Sequence, residues 1–232
     1  MPRTSGIERS RNWSDLTLEE FEDIYPVIEQ NAERHFRCAT ILAEASEHEN
    51  AVAHLILGSE ELIKAFCSLL AAKRCGVKQQ SWVGKLFDHH KTRHDLIKDF
   101  FSIYLLFNAS ANETWATSGF WTSVGKVFLN VGIAAGNFLW WKKADNLKQR
   151  AFYVDYLGGI VDPAAISIDD YESALRYVNT FKKDIKQFMR EIKSASPKQL
   201  VMWEKQLDLV KIDQLRKQAY DLQKQINKTQ KK

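Results

Sequence analysis

The chain has 232 residues, 45% of them hydrophobic and seven of them tryptophan, which is enough apolar volume for one sizeable core. Four prolines and ten glycines are few and alternating strand-like runs are scarce, which excludes an all-β domain and predicts an all-α fold. The net charge of +4 is uneven, because residues 198–232 hold nine Lys or Arg against four Asp or Glu and the remaining residues sum to −1.

The N-terminal half is predicted to contain a helical hairpin. Thr17 and Glu20 match a capping box, which begins a short helix that ends near Pro26. A longer helix follows over 27–47, and a tight connection leads into a very apolar helix over 51–74. These two long helices are expected to pack as an antiparallel pair.

The helix over 51–74 is expected to be the central one. Only Glu60, Lys64 and Cys67 mark a narrow strip of it that is expected to face solvent. Small residues along its inner border would let a neighbouring helix approach closely. Glu61 lies on that border, and a carboxylate buried there needs a partner, because burying the charge alone is costly.

A further helix is predicted over 88–107. His90, Arg93 and His94 fall on its apolar side, so basic and titratable groups point inward toward the region where Glu61 points inward. We expect Arg93 and Glu61 to share one buried polar cluster. Such a cluster is either an ion pair with hydrogen-bonded histidines that fixes helix register, or a polar pocket of the kind in which catalytic groups occur.

The C-terminal half begins with the most apolar run of the chain, at 120–141. Lysine, asparagine and glycine residues interrupt this run, so a buried hairpin or helix is favoured over a membrane span. Helical character resumes over 142–153, and a loop is predicted over 156–165. The aromatic residues at 152–156 are interpreted as packing residues, and Asp155 as a cap of the following turn.

The last two elements are amphipathic helices separated by Pro197. Ser167 and Asp170 cap the first, which runs to about Lys193. The chain is therefore divided into an N-terminal arm and short helix (1–26), a helical domain (27–197) and a basic amphipathic helix (198–232). The final helix either packs on the bundle or pairs with another chain. Its heptad-like stripe consists of Leu200, Trp203, Leu207, Val210, Leu215, Leu222 and Ile226.

Cysteine usage and the N-terminus indicate a reduced, cytoplasmic protein. The three cysteines are odd in number and lack zinc-type spacing, which favours free thiols. The first 15 residues contain no apolar signal-peptide core. The modestly basic tail permits contact with nucleic acid without requiring it.

Three motifs follow one another along the chain: EELIK at 60–64, HKTR at 90–93 and RAFYVDY at 150–156. Together they resemble the AbiV family of bacterial abortive-infection proteins, a branch of the HEPN superfamily of helical domains, over residues 25–190. The resemblance implies a helical bundle that tends to form homodimers. It also implies a role in arresting phage growth at the expense of the infected cell.

Many HEPN proteins are metal-independent ribonucleases that use an Arg-x(4–6)-His motif, so RNA cleavage is one hypothesis. No arginine in this sequence precedes a histidine at that spacing. The nearest substitute is Lys85 with His90, and Arg93 follows that histidine instead of preceding it.

If the protein cleaves RNA, we expect His90 and His94 to act as base and acid, because imidazole titrates near neutral pH. Arg93 would hold the phosphate with help from Lys64, and Glu61 would orient a histidine or Arg93. Growth arrest is then expected to depend on His90 and Arg93. His35, His48 and His54 are expected to be structural or solvated.

Two alternatives to this hypothesis remain. His90 and His94 could bind a metal with Glu61 or Asp88, but the adjacent Arg and Lys would repel a dication, so no cofactor is expected. The second alternative is a non-catalytic protein of the same fold that acts by binding. The expected partners are a second copy of the chain, RNA or the translation machinery, and a phage protein, with no membrane.

Overall fold

The computed structural model describes residues 13–79, 86, 92–97, 140–156, 158–201 and 204. The described chain is mainly helical, as predicted, with three long helices: α1 (Leu18–Glu44), α2 (His48–Ala72) and α3 (Ile168–Ser194). Residues 92–97, 140–152 and 197–201 are also helical. Short 3-10 turns lie at Trp13–Asp15, Val77–Gln79 and Pro163–Ala165, and two short strands are β1 (Asp155–Tyr156) and β2 (Ile160–Val161).

Helix α2 forms the centre of the described fold, as predicted. Eighteen of its 25 residues are buried, so it is covered on nearly all sides. It packs along α1 and along α3, and the Phe66 ring contacts the Phe188 ring of α3 with centroids 5.4 Å apart. A helix enclosed in this way needs apolar residues around its whole circumference, which explains its weak amphipathic pattern.

Helix α1 begins at the predicted capping box and continues through the proline. Thr17 Oγ1 accepts a hydrogen bond from the Glu20 N–H at 3.2 Å, and Glu20 Oε2 accepts one from the Thr17 N–H at 2.7 Å. The predicted end of a short helix near Pro26 is wrong, because α1 runs unbroken to Glu44. A proline inside a helix costs about 3 kcal/mol. Pro26 is exposed to water, and buried Phe21 and Ile28 anchor the helix on both sides of it.

The close approach predicted along the border of α2 is present at Gly58. A Cβ atom built on Gly58 would lie 2.6 Å from Cε1 of Phe36 on α1, far inside van der Waals contact. The missing side chain therefore lets the Phe36 ring pack directly on the α2 backbone. Any larger residue at position 58 would force the Phe36 ring or one of the two helices to shift.

Helix α3 begins at the predicted capping box of Ser167 and Asp170. Its buried face packs on α2, while its charged flank reaches α1. Lys182 donates to Glu33 at 2.9 Å, Lys186 also pairs with Glu33, and Lys193 lies 3.3 Å from Glu29. The buried residues of α3 are Ala174, Val178, Phe181, Ile185, Phe188, Met189 and Ile192.

The loop predicted over 156–165 contains a small antiparallel hairpin. β1 pairs with β2 in the register Asp155 with Val161 and Tyr156 with Ile160. Gly158 in the connecting turn has a φ of +75°, a conformation that glycine adopts without strain. No helix among the described residues is long and apolar enough to cross a membrane. Most of the apolar run at 120–141 lies outside the described residues.

Candidate functional site

The contact predicted between Arg93 and Glu61 is present. Arg93 Nη1 lies 3.5 Å from Glu61 Oε1 and 3.8 Å from Glu60 Oε2. The arginine comes from helical residues 92–97, while both carboxylates come from α2. Arg93 is only 7% exposed, so it contacts the two carboxylates in the interior of the protein.

Glu61 collects hydrogen bonds from two helices. Lys64 Nζ, one turn further along α2, donates to Glu61 Oε1 at 2.6 Å, and Asn31 Nδ2 on α1 donates to Glu61 Oε2 at 3.0 Å. Burial by itself raises the pKa of Glu61, but the bonds from Lys64 and Asn31 and the charges of Lys64 and Arg93 outweigh it. The pKa of this carboxyl therefore lies below its usual value, and Glu61 is ionised at neutral pH.

Glu60 does not lie on a solvated strip, and that prediction is wrong. Glu60 and Cys67 are both buried, with Glu60 completely so, and Lys64 keeps only 13% of its side chain exposed. The prediction failed because the helical residues 140–152 cover this side of α2. Lys148 of that segment bonds to Glu60 Oε1 and so compensates its buried charge.

Lys148 was missed by the sequence analysis although the sequence contained a signal for it. It follows the buried residues Trp141 and Ala144 at helical spacing and precedes buried Ala151. A cation on such an apolar stripe is the same signal that singled out Arg93. Lys148 Nζ also lies 3.2 Å from Asp145 Oδ1, one turn earlier.

These residues form one group, which we call the polar cluster. It consists of Glu60, Glu61, Lys64, Arg93, Asp145 and Lys148. Three carboxylates face three cations, so the ionised cluster is electrically neutral. It joins α2 to residues 92–97 and to residues 140–152, and such a network fixes the register of the segments that it connects.

His94 lies beside the polar cluster and faces the backbone of residues 140–152. Its Nε2 contacts the carbonyl oxygen of Trp141 and lies 3.2 Å from the Asp145 backbone nitrogen. The His94 side chain is 3% exposed, and its ring meets the Trp141 ring edge-on. His94 is thus held against a helix backbone, whereas His90, the other proposed catalytic histidine, lies outside the described residues.

A second pair of histidines lies where α1 meets α2. His35 Nδ1 and His54 Nδ1 are 3.0 Å apart, so one ring donates to the other. Burial lowers the pKa of His35, against the opposing charge of Glu61. Burial and the neighbouring His35 lower the pKa of His54. Both rings are therefore largely neutral at pH 7.

In the part of the chain that the structure describes, no set of side chains is arranged to bind a metal ion. There, no group of three or more His, Cys, Asp or Glu side chains is positioned to hold an ion. His90 and Asp88, two of the ligands considered from spacing, lie outside that part. The described partners of Glu61 are two cations and an amide, which suit a carboxylate better than a metal.

The aromatic residues at 152–156 are not packed in the core, so that interpretation is wrong. Tyr156 and Ile160, which are cross-strand neighbours on the hairpin, are 73% and 77% exposed. These residues lie on two strands of two residues each, and their large apolar side chains are left exposed. We call the exposed set the hairpin patch: Phe152, Tyr153, Val154, Tyr156 and Ile160. Asp155 Oδ1 accepts from the Tyr156 N–H at 2.7 Å, at the start of the turn that it was predicted to cap, and Asp162 caps the turn after the hairpin by accepting from the Ala164 N–H at 3.0 Å.

The chain was compared with known protein families and with known proteins. The model of the AbiV family matches residues 20–183, which is well over half of the chain. The matched range includes the residues of the polar cluster and of the hairpin patch. Searches of curated proteins and of solved structures gave no significant match.

Proposed function

The chain belongs to the AbiV family of the HEPN superfamily, and we propose that it arrests phage growth by binding a partner, without cutting RNA. Family membership supports a role of the abortive-infection type. Two mechanisms are compatible with that role: RNA cleavage by the histidines and Arg93, and inhibition of translation or capture of a phage protein by binding. The geometry of the polar cluster favours the second.

The observation that carries this proposal is the burial of Arg93 and His94, two of the candidate catalytic groups that the structure describes. Arg93 and His94 are 7% and 3% exposed, and burial in a single chain can only increase in an assembly. A ribonuclease must bring a base and an acid within about 3 Å of the 2′-hydroxyl and the leaving oxygen. His94 cannot meet that requirement without leaving the backbone that it contacts.

The charges around Arg93 also favour the binding mechanism over RNA cleavage. A cation that binds the phosphate of a transition state must present unshared donors to it. Arg93 already contacts both Glu60 and Glu61, so a phosphodiester would have to compete with two carboxylates for the guanidinium. The cluster is organised to neutralise its own charges, which supports a structural role for it.

RNA integrity during phage arrest separates the two mechanisms. Cells that express the wild-type protein are challenged with phage, and total RNA is examined while phage growth is scored. We expect arrest with intact RNA, and no RNA degradation by the purified protein in EDTA. The His90→Asn variant serves as the control, since it removes an imidazole while roughly keeping side-chain volume. RNA fragmentation by the wild type that is absent from a folded His90→Asn variant would establish the nuclease mechanism.

We also propose that the protein is a homodimer, as HEPN domains often are. Light scattering at micromolar concentration is expected to give twice the chain mass of 26.8 kDa. A monomer mass under these conditions would contradict the dimer without affecting the assignment of the polar cluster.

A further inference from the structure

The hairpin patch exposes large apolar side chains to solvent. Tyr156 and Ile160 are paired across β1 and β2, Val154 directly precedes β1, and each of the three is more than 70% exposed. Contiguous exposed apolar surface of this kind marks an interaction site in soluble proteins. We therefore expect another protein segment to bind the patch.

The charges around the patch specify what that occupant must carry. Residues 151–175 contain five Asp or Glu and no Lys, Arg or His, and the exposed Arg150 and Arg176 flank this acidic segment. Two of these acids are exposed next to the patch: Asp155 lies on β1, and Asp162 follows β2 directly. The complementary partner presents an apolar stripe flanked by lysine or arginine.

Residues 205–232 of the same chain have this chemistry. They hold eight Lys or Arg against three Asp, and the apolar residues of the heptad-like stripe run through them. This segment lies outside the described residues, and it follows directly on Glu204, which is described. We propose that the C-terminal segment 205–232 docks on the hairpin patch of its own molecule.

Chain length permits this contact. The 28 residues of the segment span about 42 Å as a helix and about 95 Å when extended, whereas a globular domain of this size is about 40 Å across. Because the segment is tethered, its local concentration at the patch is on the order of millimolar, which favours it over a free ligand of similar affinity. The docked segment would cover the hairpin patch and compete with any external partner for it.

Photo-crosslinking in the full-length protein tests the contact. p-Benzoylphenylalanine is placed at position 156, and the crosslinked peptides are identified by mass spectrometry. The control carries the same group at position 41, because Ile41 on α1 is 64% exposed and lies outside the hairpin patch. We expect crosslinks from position 156 to residues 205–232, and none to that segment from position 41.

Charge dependence provides the second measurement. Asp155→Asn and Asp162→Asn keep the local hydrogen-bond acceptors while removing both charges, so folding is expected to be unchanged by circular dichroism. The yield of the crosslink to 205–232 is expected to fall by about threefold or more in the double variant, because two exposed ion pairs are lost.

Three results would overturn the proposal. The first is a crosslink from position 156 to any other part of the chain in place of 205–232. The second is no crosslink, or an equal yield from positions 41 and 156. The third is a crosslink between labelled and unlabelled chains in a mixture of nitrogen-15 and ordinary protein, since the occupant would then be a second copy. None of these results depends on how the protein arrests phage growth.

Discussion

The polar cluster and the hairpin patch invert the usual placement of side chains. In the cluster, five of the six charged residues, which a soluble protein normally keeps at its surface, are buried or nearly so around α2, and only Asp145 keeps 40% of its side chain exposed. In the patch, five large apolar residues that normally fill a core are exposed. The cluster pairs its carboxylates with cations, which supports the proposal that it holds the fold. The patch exposes large apolar side chains, which supports the proposal that it binds another segment.

This contrast predicts different responses to substitution in the two regions. Changes in the cluster are expected to lower stability, and to affect function only through stability. Changes in the patch are expected to affect binding while leaving stability almost unchanged.

The largest effect is expected at Glu60. Glu60→Ala leaves Lys148 buried with its main countercharge removed, and should lower the free energy of unfolding by about 3–5 kcal/mol. Denaturant unfolding measures this loss. Exposed Glu172 on α3 is the matched control, and Glu172→Ala should change stability by less than about 0.5 kcal/mol.

A double variant sharpens the same prediction. Glu60→Leu with Lys148→Met removes both charges at similar volume, and should recover most of the stability that Glu60→Ala loses. Equal destabilisation by the single and double variants would mean that packing, and not the ion pair, determines the effect.

A smaller loss is expected for Glu61→Ala. Its partners Lys64 and Asn31 keep some contact with water, and Arg93 retains Glu60, so the cost should be about 2 kcal/mol. Thermal unfolding at pH 7 provides the measurement. An unchanged melting temperature would show that the contacts of Glu61 in the polar cluster do not stabilise the fold.

The histidine pair predicts a pH dependence of moderate size. The folded-state pKa values of His35 and His54 lie below the ordinary value near 6.5, so their contribution is fully present above about pH 6.5. It is lost as the pH falls below that value, because the unfolded chain binds protons at both histidines more readily than the folded pair does. His54→Gln should therefore flatten the decrease in melting temperature between pH 7.5 and 5.5, relative to the wild type. An unchanged slope would show that the pair does not titrate in this range.

The smallest effect on stability is expected in the hairpin patch. Ile160→Thr keeps a β-branched side chain at a position that is 77% exposed, so the free energy of unfolding should change by less than about 0.5 kcal/mol. Phage protection should nevertheless change, because the exposed apolar face is altered. A loss of stability comparable to that of Glu61→Ala would show that the patch is part of the core.

Local signals in the sequence predicted much of this fold. The capping boxes at Thr17 and Ser167 act through residues three positions away, so sequence spacing alone identified both helix starts. The inward position of Arg93 and Glu61 followed from helical periodicity. In each case the determining interaction is short-range or periodic.

The errors arose where distant segments decide the outcome. Pro26 was predicted to end a helix, but the anchoring of Phe21 and Ile28 in the core keeps α1 continuous. Glu60 was predicted to face solvent, because the sequence does not show that residues 140–152 fold over that side of α2. Tyr156 is exposed on a short hairpin that the sequence analysis had taken for part of a loop, and no local pattern indicated this exposure.

The central claim is that the polar cluster supports the fold and that phage arrest does not require RNA cleavage. The most direct test is total RNA integrity in infected cells that express the wild type or His90→Asn, with phage yield scored in the same cultures. We predict equal arrest and intact RNA in both. RNA fragmentation with the wild type, lost together with phage arrest in a stably folded His90→Asn protein, would contradict the account.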